Sequence, residues 1–313
     1  MRSATDFESA SASHIPAPGS VATPAAEPDT TAATSAHVLL RTLQSVVSPA
    51  GLAGGLTELA LTGAHLLMYP LGTRTEQLRD DEGRIRRGAP PVVRARFAAD
   101  PLSARVPVVL VHGLVDNRSV FTVLRRGLRR RGFESVSSWN YSPRLDDVAR
   151  GAAALGRHLE RICELTGHDQ VNLVGHSLGG LLARYHVQRQ SGGHRVRSLV
   201  TLGTPHTGTV VAHLLPTPLV RQLRPGSTLL RELAEPAEGW RTPVTAIYSD
   251  LDHLVIPTSA GRCDHPDLGA RNVLVRGVGH TSLPFSRVVA DEVAATLAGL
   301  RGGGTLQRPT TAA

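Results

Sequence analysis

A serine set between glycines at fixed spacing is the feature of this sequence with the clearest chemical consequence. Gly175-His176-Ser177-Leu178-Gly179-Gly180 has the form G-x-S-x-G. It stands between an apolar run, Val171-Asn172-Leu173-Val174, and an amphipathic stretch from Leu178 to Gln188. A serine hydroxyl exposed for attack needs a tight strand-to-helix turn, where side chains two residues either side would strike the neighbouring strand and helix. Glycine at 175 and 179 meets that demand. The helix that follows begins with free N–H groups and the positive end of its dipole, both suited to a developing oxyanion.

A serine hydroxyl is a weak nucleophile at neutral pH, so it requires a base, and the base requires an acid to orient it. A serine on such a turn is followed downstream by the acid and then by the histidine. His280, in Val275-Arg-Gly-Val-Gly-His280, comes directly after the last predicted strand and is the candidate base. Other histidines fit this order less well: His112 precedes the serine, His176 lies inside the turn, His206 precedes the acid, and His253 and His265 occupy another loop. Two acids end the preceding strand, Asp250 and Asp252. Asp252 is preferred because Leu254-Val255-Ile256-Pro257 re-enters the core behind it, with Asp250 left to brace the loop. The two oxyanion donors are expected from the backbone N–H groups of Leu178 and Leu114. Gly113 would let the main chain approach the substrate closely.

These residues need a scaffold that gathers them at one edge. Predicted strands at 106–111 (a continuous apolar run), 133–139, 171–174, 196–202, 244–248 and 272–275 alternate with predicted helices at 121–128, 145–165, 178–188 and 285–300. Strand–helix alternation with unbroken apolar strands predicts a mostly parallel sheet covered on both faces. Such sheets carry their sites beyond the carboxyl ends of the strands, where each residue proposed above falls. Residues 209–240 interrupt the rhythm and predict a small helical cap, whose Leu214 and Leu215 are more apolar than a loop requires.

The catalytic domain is thus expected over 106–300. Residues 1–36, rich in Ala, Thr, Ser and Pro, read as a disordered tail, 37–105 as a helical segment and linker, and 301–313 as a flexible tail. The apolar part of 37–70 is too broken for a transmembrane span and reads as two short helices on the domain, with a membrane-surface helix as the alternative. The net charge is +8 and rests entirely on arginine, because lysine is absent. The arginine run at 125–131 reads as a solvated helix face; peripheral membrane contact is a second reading, and no motif accompanies the charge to suggest nucleic acid. The two cysteines, Cys163 and Cys263, show no metal-ligand spacing, and Asp264 with Asp267 is too thin a basis for a calcium site. No cofactor or metal is therefore expected. After Met1-Arg2 no basic-then-apolar signal follows, which predicts a cytoplasmic protein.

The set Val111-His112-Gly113, Gly175-His176-Ser177-Leu178-Gly179-Gly180, Leu202-Gly-Thr-Pro205-His206-Thr-Gly208, Asp252 and Gly279-His280 resembles bacterial lipases and esterases of the α/β-hydrolase superfamily. The resemblance covers about Val106 to Leu300, including Arg224-Pro-Gly-Ser227 in the insertion. It implies a triad of Ser177, Asp252 and His280, oxyanion donors Leu114 and Leu178, and cleavage of a small-molecule or lipid ester through an acyl-enzyme. Substrate contact is expected from His112, Gly113, His206, Leu214 and Leu215. An acyltransferase passing the acyl group to an alcohol on the same triad is the alternative. Oligomeric state leaves no trace in the sequence.

Overall fold

A computed structural model describes residues 91–100, 102–114, 116–300 and 305–307. The expectations for 1–36, for 37–90 and for most of the C-terminal tail lie outside those residues. A seven-stranded sheet organises the domain: β1 (Val108–Val111), β2 (Val136–Trp139), β3 (Val171–His176), β4 (Val196–Leu202), β5 (Val244–Leu251), β6 (Arg271–Gly279) and β7 (Thr305–Gln307). Its order is β2-β1-β3-β4-β5-β6-β7, and every pairing is parallel.

The central strands are largely apolar and mostly buried because both faces are covered. Successive residues alternate between two cores, Val109 and Val111 facing one, Val108 and Leu110 the other. The first core is closed by α4 (Val148–Thr166) and α5 (Leu178–Arg189), the second by α3 (Thr122–Arg130) and α8 (Arg287–Leu297). Two shorter helices, α6 (Pro218–Arg221) and α7 (Thr228–Ala234), lie in the insertion between β4 and β5.

Local chemistry sets these helices. Asp147 caps α4 by accepting from the Arg150 N–H at 2.8 Å, and Gly167 ends it in the left-handed region at φ 67°. Between those limits Ala152, Leu155, Leu159 and Ile162 form the buried stripe.

The structure departs from the sequence reading in three places. The end of the presumed linker is helical: α1 (Pro91–Ala99) and α2 (Leu102–Arg105) precede β1. Val93 and Phe97, four apart, are buried on the domain, with Phe97 edge-on to Phe133 at 5.1 Å. An arginine-rich composition hid that two-residue stripe. Within the presumed flexible tail, residues 305–307 pair with Leu274–Arg276 and extend the sheet at what would otherwise be its open edge. The arginine run is not wholly a solvated face either, since Arg131 is buried and donates to Asp291 at 2.8 Å. Among the described residues, no helix is long and apolar enough to cross a membrane.

Candidate active site

Ser177 sits between β3 and α5 with φ 54° and ψ −123°, one of two described non-glycine residues at positive φ. Strain of this kind persists only where the surroundings enforce it. Here a Cβ on Gly179 would lie 2.2 Å from the Val111 carbonyl oxygen, and one on Gly175 would lie 2.5 Å from the Gly180 backbone. The Ser177 N–H donates to Leu202 O at 2.8 Å, which ties the turn to the end of β4. The side chain of Thr204 donates to Ser177 O at 3.0 Å.

The pairing of β5 with β6 brings the next two residues together. Leu251 lies opposite Gly279, so Asp252 and His280 leave the sheet side by side. His280 Nδ1 donates to Asp252 Oδ2 at 2.7 Å, and both residues are buried. Asp252 Oδ1 accepts from the N–H groups of Leu254 and Val255 at 2.9 and 2.8 Å. Its carboxylate is thus held in one orientation by the loop that re-enters the core. With its proton committed at Nδ1, His280 presents Nε2 as the basic nitrogen.

Asp250 points elsewhere. The register between β5 and β6 shifts from Ser249↔Val275 to Leu251↔Gly279, leaving extra residues on β6 that include Gly277 at φ 73°. Asp250 Oδ1 accepts from Gly277 N at 2.9 Å and its Oδ2 lies 3.5 Å from Arg276 Nη1, so it braces this bulge.

Ser177 and the acid–histidine pair both adjoin the end of β4. A Cβ on Gly203 would lie 3.0 Å from Asp252 Oδ2 and 3.1 Å from His280 Nδ1. The ring of His176, the residue before the serine, lies 4.8 Å from that of His280 and donates to the His280 carbonyl at 3.2 Å. The loop after β1 closes the other side, where a Cβ on Gly113 would stand 3.0 Å from Ser177 Cβ. Leu114 follows in that loop, and Leu178 opens α5.

Two of the expected substrate contacts are placed differently. His112 is buried, its ring stacked on Tyr141 at 4.1 Å, and its Nδ1 donates to Gly113 O at 2.9 Å. His206 is buried beneath the site, with Nε2 2.9 Å from Thr201 Oγ1 and Nδ1 accepting from Arg184 at 3.4 Å. Both rings are held inside the protein by polar partners that a strand-end position does not reveal. Leu214 and Leu215 are 78% and 51% exposed, and Val210 and Leu254 are 50% and 47%. Thr209 joins these segments, donating to Leu254 O at 2.8 Å.

The insertion between β4 and β5 is fastened to the helix that follows the serine. Leu233 O, at the end of α7, accepts from Arg184 at 2.7 Å and Gln188 at 3.0 Å, and Tyr185 donates to Glu232 at 2.8 Å. These bonds satisfy carbonyl and carboxylate groups at the end of a short helix that would otherwise need water.

Burial, with the charge of Arg184 adding to it, holds His206 well below the usual imidazole range. Burial, reinforced by Arg161, pushes His158 down to about 4 from the ordinary 6.5. Between those two values the unfolded chain takes up protons that the folded protein refuses. Stability should therefore be complete above pH ~6.5 and fall as the pH drops towards 4. Melting temperatures across that window should show the decline, and His158→Gln should make it shallower while leaving the part that His206 and His186 contribute.

Residues 106–223 match the family described as alpha/beta hydrolase fold. The fold is that of the α/β-hydrolases. A triacylglycerol lipase of Burkholderia plantarii is 33% identical over 126 residues, which cover 38% of this chain and 35% of that protein. A triacylglycerol lipase of Pseudarthrobacter phenanthrenivorans is 33% identical over 122 residues, covering 36% and 38%. The chain thus spans little more than a third of the length of these curated relatives. The mature form of a Bacillus licheniformis lipase superposes with a TM-score of 0.52 at 18% identity, over 62% of this chain and 92% of that one. At that identity the likeness speaks for the α/β-hydrolase fold alone.

Proposed function

We propose that this chain hydrolyses carboxylic esters of acyl lipids or similar small molecules, with Ser177, His280 and Asp252 as its triad. The observation that carries this reading is the buried 2.7 Å contact of His280 with Asp252, seated at the strand ends beside a serine in a strained turn. Ser177 Oγ attacks the acyl carbonyl while His280 Nε2 takes its proton. Asp252 stabilises the imidazolium, and the N–H groups of Leu114 and Leu178 receive the oxyanion. Collapse of the tetrahedral intermediate expels the alcohol, which leaves with the proton held by His280. Water, deprotonated by the same nitrogen, then attacks the acyl-enzyme, and the acid departs as Ser177 recovers its proton.

The triacylglycerol lipases among the relatives support lipid esters as the substrate class. The exposed Leu214 and Leu215 supply apolar surface for an acyl chain at the cap.

Hydrolysis of p-nitrophenyl esters from acetate to palmitate tests the reading, combined with labelling by a fluorophosphonate. Turnover and a single adduct on Ser177 are expected. No turnover at any chain length, or an adduct on another residue, overturns it. Release of the nitrophenol only when an alcohol is added, with transfer of the acyl group to it, would assign the acceptor to an alcohol instead.

A further inference from the structure

The loop after β1 combines two conflicting requirements. Residue 113 is favoured as glycine, because a Cβ there would stand 3.0 Å from Ser177 Cβ, tighter than an ordinary contact. Glycine also frees the following peptide to rotate. In a trans peptide the C=O of residue 113 and the N–H of residue 114 point in opposite directions. A rotation of the 113–114 unit would therefore present a carbonyl oxygen where the oxyanion needs a donor. The structure holds this unit at its oxygen. Tyr141, two residues beyond the end of β2 on the strand beside β1, donates its hydroxyl to Gly113 O. His112 Nδ1 donates to the same oxygen at 2.9 Å, and its ring stacks on that of Tyr141 at 4.1 Å with 19° between the planes.

We infer that Tyr141 and His112 are positioning residues that fix the Gly113–Leu114 peptide with its N–H as an oxyanion donor. This rests on the ester-hydrolase reading and on Leu114 as one of its two donors. Neither side chain touches the substrate. Together they hold a flexible peptide in its one useful orientation by occupying the carbonyl end. The stack gives the two donors a common platform, so loss of one hydroxyl leaves the loop packed while loosening the peptide.

Complete loss of one oxyanion donor costs about 10²–10³ in kcat, and a peptide that is flipped part of the time loses in proportion. Tyr141→Phe keeps the ring and removes the hydroxyl. Its kcat on p-nitrophenyl butyrate should fall about 10- to 100-fold with KM within about twofold. Affinity for an alkylboronic acid, which forms a tetrahedral anion on the serine, should fall by the same factor. His112→Phe keeps the stack and removes the second donor, and should act in the same direction. Melting temperatures of both variants serve as the check on folding.

A kcat within twofold of wild type in both variants overturns the inference. So does a loss expressed in KM with boronate affinity unchanged. A wild type that hydrolyses no ester removes the underlying reading and this inference with it, whereas wild-type turnover with unaffected variants removes the positioning role alone.

Discussion

Ser177→Ala should lower kcat for ester hydrolysis by about six orders of magnitude, with the fold intact. The triad acts as a unit, so loss of the nucleophile removes nearly everything that its three members contribute together. What remains, about 10³–10⁴ over water, comes from substrate binding and the oxyanion donors. Structure should be preserved because the turn is enforced by groups other than the serine side chain. These are Gly175 and Gly179, the bond from Ser177 N to Leu202 O and the bond from Thr204 to Ser177 O. Alanine at 177 meets the same backbone strain as serine. The measurement is single-turnover kinetics on p-nitrophenyl butyrate alongside thermal melting. Activity within tenfold of wild type would place the nucleophile elsewhere.

Asp252→Asn should cost about four orders of magnitude in kcat, while Asp250→Asn should stay within about threefold of wild type. The size of the first effect follows from the direction of the hydrogen bonds. Oδ1 of residue 252 accepts from two backbone N–H groups, at Leu254 and Val255, so an asparagine must place its oxygen there. Its NH₂ group then faces His280 Nδ1, where the carboxylate oxygen stood at 2.7 Å. To avoid donor against donor, the imidazole must carry its proton on Nε2, and that tautomer cannot deprotonate the serine. Asparagine at 250 still offers an oxygen to Gly277 N, so the bulge survives. Parallel kcat measurements on the two variants decide the assignment, and a strongly impaired Asp250→Asn beside an active Asp252→Asn would reverse it.

Much of the scaffold was legible because its signals are local. An apolar strand, a glycine that closes a helix and a serine between glycines each depend on neighbours within a turn or two. The apolar segments foretold β1 to β6 and the helices between them, and glycine spacing marked the turn at Ser177. Short elements that earn their place only by docking were missed. Among the described side chains of helix α1, Val93 and Phe97 are buried in an arginine-rich stretch, and β7 is three residues long with no apolar run behind it.

The candidate site divides along the same line. Residue types and chain order sufficed to nominate Ser177, His280 and Asp252 ahead of Asp250. The physical reason lies in the register of β5 against β6, where a bulge turns the Asp250 carboxylate to Gly277 and brings that of Asp252 to His280. His112 and His206 carried the right residue type at strand ends, yet stacking on Tyr141 and bonding to Thr201 and Arg184 turn them inward. Tyr141 bore no sequence signal, since its role arises from β2 lying beside β1. The sequence by itself determined the strand–helix alternation and the serine turn, because periodicity and steric demands at a turn act along the chain. Only the tertiary structure showed what turns Asp250 away from His280 and which side chains bond to the Gly113 carbonyl. Those meetings depend on strand register and adjacency, set by the packing of residues far apart in the chain.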